Sequence, residues 1–189
     1  MLTVRQLMQN ISRGESVSGF RGLLLKKYDE YRKQTKVILV TASYSLPYKN
    51  NYTEPYFVLY HKIHSEELKD VWYDVVIQYI TDNKITPDTQ IRIYSNSPQF
   101  TFTYAYCYNK EGDLLFPHLY PKIVLSDYPK EKNPLCLKGL DKHVYVALKE
   151  ATAKRITYDT VSKLNKNDWT PIMDIESFNK KIKFAKKRR

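Results

Sequence analysis

A chain of 189 residues, 42% hydrophobic and 14% aromatic, can bury a substantial core, which excludes a globally disordered protein. Five glycines, with no GxxxxGK or GxGxxG pattern, exclude a glycine-rich phosphate loop. The net charge of +11 is uneven: residues 180–189 (KKIKFAKKRR) hold seven basic side chains and no acidic one, so the remainder is only +4.

The longest apolar runs, such as KVILVTA over 36–42, are far shorter than the roughly 20 residues that cross a bilayer. MLTVRQLMQNISRGES lacks the apolar stretch of a signal peptide, so the expectation is a soluble intracellular protein without a membrane partner. Cys107 and Cys136 stand 29 positions apart with no CxxC. That spacing offers no zinc site, and the two are expected to be unbonded, small buried hydrophobes.

Thr3-Val4-Arg5-Gln6 has the form of a capping box, and Val4, Leu7, Met8 and Ile11 follow at helical spacing. A second helix is predicted over 18–34, with Phe20, Leu24, Tyr28 and Tyr31 on one face. Strands are predicted at 36–43, 56–63, 73–80 and 91–94. Between the first two lies the loop LPYKNNYTEP, whose Tyr48 and Tyr52, with Tyr56 at its end, form a candidate contact arm for a neighbouring subunit. The residues Ser95-Asn96-Ser97-Pro98 read as a hairpin turn into a further strand, Phe100–Tyr108, which alternates aromatic and small side chains. Asn109–Asp113 is a second turn, leading to Leu114–Phe116.

Four prolines between 117 and 134 break regular structure. A helix is then predicted over 139–155, with Leu140, Val144, Ala147, Leu148 and Ala151 on one face. A last amphipathic helix is predicted over 174–186. The pattern gives an α+β fold in one domain: helices over 1–35, an antiparallel sheet of about five strands over 36–116, a Pro-rich connection and helix over 117–170, and a basic helix or tail over 171–189.

Covered by helices, the aromatic strand would place Phe100, Phe102, Tyr104 and Tyr106 in the core. Tyrosine in place of phenylalanine points part of that face, Tyr104 and Tyr106, toward a protein partner. A base-stacking platform fits less well, because no basic residue precedes Lys110 on it. His61 and His64 form an HxxH whose members point different ways on a strand, with no third ligand nearby, so no metal is expected. The carboxylates Glu66, Glu67, Asp70 and Asp74 fit a solvated turn. Asp88 after Pro87 matches the start of a PD-(D/E)xK pattern, yet no E/D-x-K follows on a strand. No GxSxG is present, and neither catalytic residues nor a cofactor are expected.

In the tail, Lys180, Lys181, Lys183, Lys186, Lys187, Arg188 and Arg189 read as a contact for phosphates or for an acidic protein surface.

The segments GFRGLLLKKYDEYRKQTKVILVTASYS (19–45) and QIRIYSNSPQFTFTYAYCYNK (90–110) resemble small structural proteins of tailed bacteriophages with AT-rich genomes. The resemblance lies in the Lys, Asn, Tyr and Ile richness, the tyrosine-laden sheet and the basic end. It implies a non-enzymatic virion protein around the portal, neck or tail, present in host cytoplasm during assembly. Its partners would be other virion proteins, copies of itself in a ring, and packaged DNA. The alternative is a nucleic-acid-binding accessory protein of a phage or mobile element.

Overall fold

The computed structural model describes residues 1–9, 26–44 and 53–164. The basic tail 180–189, the helix predicted over 174–186, and Tyr48 and Tyr52 lie outside the described residues.

The four apolar, β-branched runs form an antiparallel meander: β2 (Val37–Ser43), β3 (Tyr56–His64), β4 (Trp72–Ile80) and β5 (Gln90–Ser95). The fifth strand is β1 (Leu2–Thr3), which pairs with the outer side of β5, giving the order β1-β5-β4-β3-β2. With helices before and after the sheet, the fold is α+β, as the sequence predicts.

The aromatic stretch is not a strand. Residues 98–110 are helical, with a wide π turn over Phe100–Tyr104 followed by the α-helical segment Ala105–Lys110. The turn residues are its start: the Ser97 hydroxyl accepts from the Phe100 amide at 3.2 Å, and Pro98 occupies the first helical position, where no N–H is missed. Phe100, Tyr104 and Tyr108 stand four apart, so every second member of the same aromatic list makes a helical stripe. All three are buried, along with Thr101, Ala105 and Cys107.

Among the other helices, α1 (Val4–Gln9) opens on the expected capping box: the Thr3 amide donates to Gln6 Oε1 at 2.9 Å, and the Gln6 amide to Thr3 Oγ1 at 3.2 Å. In the helix over 26–33 (α2), Tyr28 and Tyr31 are buried. With the helical segment 98–110 as α3, two further helices had sequence signals of unequal strength. The short α4 (Lys122–Ser126) lies in the Pro-rich stretch, and α5 (Lys142–Ala153) begins three residues later than predicted. A sixth helix, α6 (Tyr158–Leu164), is announced by Thr157 and Thr160, each hydroxyl accepting from the other's amide.

Strand register separates two sheet faces. One carries Phe57, Leu59, His61, Ile63, Val75, Ile77 and Ile93, and α5 packs across it. The other carries Val58, Tyr60, Asp74, Val76, Gln78 and Tyr94, where Tyr94 meets the rings of Phe116 and Tyr120. Every residue from Asp74 to Tyr79 is buried, so the middle of β4 is covered on both faces.

The cysteines also correct the sequence reading: Cys107 and Cys136 form a disulfide, with Cα atoms 5.3 Å apart. Spacing along the chain carries no information on this pairing. It arises because the segment after α4 folds back onto the aromatic helix.

Candidate functional site

The helix 98–110 and the arm that folds back over it, residues 117–139, form the most elaborated surface among the described residues. On the inner side, the Tyr108 hydroxyl donates to the Gly139 carbonyl at 3.1 Å. The Tyr104 ring lies so close to Gly139 that a Cβ there would sit 2.3 Å from Tyr104 Cε1. Only glycine permits that approach. Asn133 is buried and acts as a clamp: its Nδ2 donates to the Thr103 carbonyl at 3.1 Å and to the Leu137 carbonyl at 2.8 Å, while its Oδ1 accepts from the Leu137 amide. The disulfide is a second tie.

Lys138 is the third. Its ammonium reaches Asp113 and Glu111, both at 2.6 Å. Burial opposes the charge on Lys138, but these two hydrogen bonds outweigh it and hold the ammonium above its ordinary pKa. Asp113 is itself a junction. Its other oxygen accepts from the Leu2 amide at 3.0 Å, and its backbone carbonyl accepts from the Ile93 amide. Leu114 then adds a single parallel bridge to Ile93, so the outer side of β5 is lined by β1 at Gln90 and Ile91 and by this bridge at Ile93.

The outer side of the arm is mixed, with Lys122, Asp127, Lys130, Glu131 and Lys132 exposed beside three large apolar side chains. Ile123 is 71% exposed and Leu135 50%, with Leu137 exposed beside Cys136. A second apolar patch lies on β2, where Ile38 is 42% and Val40 46% exposed, next to a bulge between Leu39 and Thr41. In the sheet order, β2 and β5 are three strand positions apart, roughly 14 Å at the usual strand spacing.

Two polar clusters among the described residues are sealed inside, one around Asp141 and one around Asp74. Asp141 is fully buried and accepts from Ser97 Oγ at 2.9 Å, with His143 Nδ1 at 3.3 Å from both carboxylate oxygens. Burial alone would raise the pKa of this carboxyl; His143 and the Ser97 hydroxyl more than offset that and hold it below its ordinary value. Serine, histidine and aspartate therefore meet, but the carboxylate lies between the other two. A nucleophilic relay needs the hydroxyl on the imidazole. Here the cluster pins the end of β5 to the start of α5.

Asp74 is likewise occupied, by the Tyr60 hydroxyl and by Asn96 Nδ2, both at 2.8 Å. Glu66 receives the ammonium groups of Lys27 and Lys142, which pull its carboxyl down to about 2. Asp88, the residue of the PD pattern, is held by two nitrogens of Arg5 at 3.1 and 3.2 Å.

The residues predicted as a contact surface separate. Tyr104 is core, not interface. Tyr106 is half-buried, with its ring 5.8 Å from that of Tyr128, and Tyr56 is half-buried at the start of β3. His61 is buried with neither ring nitrogen bonded, whereas His64 stacks edge-on against Trp72. Among the described residues no three His, Cys, Asp or Glu side chains group as metal ligands, and no described helix is long and apolar enough to cross a membrane. Sequence reading missed the arm surface altogether. Its only signal was the apolar content of KIVLS and PLCL inside a proline-rich stretch.

Comparison with protein-family models, with curated proteins and with solved structures yields no match.

Proposed function

We propose that the protein is a non-enzymatic assembly protein, a structural component of a phage particle that binds further copies of itself through two different apolar patches. The observation that carries this reading is the placement of Ile38 and Val40 on β2 and of Leu135 and Leu137 on the disulfide-tied arm, all left in water at separate places on one fold. Contact between two unlike patches is heterologous, and such contacts close into a ring when the rotation allows. Edge strands with exposed apolar side chains invite partners unless something blunts them. The phage setting is drawn from the resemblance of 19–45 and 90–110. Within it, the basic residues 180–189 dock on an acidic partner or on packaged DNA.

Light scattering tests the assembly. The expected result is a defined oligomer that Val40→Lys and Leu135→Lys each reduce to monomer, with no change in melting temperature. Because each variant keeps one intact patch, mixing them should restore a dimer. A wild-type monomer at every concentration sinks the proposal. If that monomer also shifts on adding single-stranded DNA, the nucleic-acid-binding alternative takes its place.

A further inference from the structure

Between the aromatic helix and α4 lies a cavity of about 270 Å³ that belongs to neither of the sealed polar clusters. Phe102, Tyr106 and Tyr128 supply aromatic surface, Ile123 forms part of an apolar side, and Asp127 is an exposed carboxylate on its lining. The Tyr128 hydroxyl donates to the Pro134 carbonyl, which fixes one wall. No lysine or arginine is among the described residues that line it, on a chain with 31 of them.

Two further observations point to a ligand. Thr101, another lining residue, is 1% exposed, and its buried hydroxyl has no hydrogen-bond partner. A buried polar atom left unpaired costs free energy that a bound group can recover. Thr101 and Phe102 also belong to the π turn Phe100–Tyr104. Such turns are rare and recur at functional sites.

We propose that this cavity binds an organic ammonium group. An anion would face the Asp127 carboxylate and the negative faces of the rings. A purely apolar group would leave the Asp127 charge and the Thr101 hydroxyl unused. An ammonium carried on carbon fits the lining: the rings hold it by cation–π attraction, Asp127 by charge, and, where the nitrogen keeps a hydrogen, Thr101 by accepting it. The site is independent of the assembly proposal, since it concerns a small group and not a protein surface.

Titration of the full chain with choline, followed through the Tyr106 and Tyr128 ring signals by NMR, is the test. Choline should give a saturable shift, and its neutral carbon isostere 3,3-dimethyl-1-butanol should bind at least about five-fold more weakly, the ratio expected of one or two exposed cation–π contacts. Asp127→Asn and Tyr106→Leu should each weaken choline to a similar degree with melting temperature unchanged. N-acetyl-lysine methylamide separates two sources of the same chemistry: tighter binding than choline assigns the site to a lysine side chain, and weaker binding to a quaternary ammonium solute. Equal binding of choline and its neutral isostere, or choline affinity indifferent to both substitutions, overturns the proposal.

Discussion

His61 is an imidazole enclosed beneath α5 with both ring nitrogens unbonded. Burial, helped by the charge of Lys154, pushes its pKa down from 6.5 to about 3. Above pH 6.5 the ring is neutral in the folded and unfolded chains alike, and it has no effect on the balance. Below that, the unfolded chain takes up a proton that the folded one refuses. Stability should therefore decline as pH falls from 6.5 toward 3, by up to about 1.4 kcal/mol per pH unit from this residue alone. Replacing the ring with an apolar side chain of similar size removes both the refusal and the unpaired nitrogens. His61→Leu should raise stability by about 1 kcal/mol at pH 7 and flatten the acid limb, as read by urea unfolding across pH. A variant less stable than wild type at pH 5 would mean that the imidazole has a partner after all.

At the scale of the element, the helix 98–110 shows where sequence pattern runs out. Alternation of large and small side chains from Phe100 to Tyr108 fits a strand on period alone. The decision lay in what precedes it, because Ser97-Pro98 starts a helix as readily as it turns a hairpin. The four strands of the meander were legible, since β-branched runs between turn residues have few other uses. The two-residue β1 had no such signal; pairing with β5 alone makes it a strand. The arm over the helix was less legible still, held as it is by Asn133, Lys138 and the disulfide, three ties between residues distant in sequence. Closing the 29-residue separation between Cys107 and Cys136 should stabilise the fold by about 3–4 kcal/mol through the unfolded chain's lost freedom. Dithiothreitol should lower the urea midpoint accordingly while the sheet's circular dichroism persists. An unaltered midpoint would show the thiols unlinked in solution.

Across the whole molecule, Glu66 joins α2 to α5 by way of the bend after β3, through Lys27 and Lys142. Those hydrogen bonds hold its carboxyl at about 2 against an ordinary 4.5. The stability it adds is present above pH 4.5 and is lost as pH falls toward 2. With Glu66 more than a third exposed, solvent screening limits that contribution to about 1 kcal/mol. Glu66→Gln should cost that much at pH 7 and nothing at pH 2, so the two melting curves should converge on acidification; a constant gap would refer the effect to packing. Neither this bridge nor the covered state of both sheet faces could be read from the chain, because each depends on which helix crosses which strand. The composite border of β5 has a different implication. Two short pieces line it, Leu2–Thr3 and the bridge at Leu114, and Asp113 grips both. The carboxylate thus works as a latch. Were it opened, the freed backbone of β5 would become an acceptor for a strand donated by another chain.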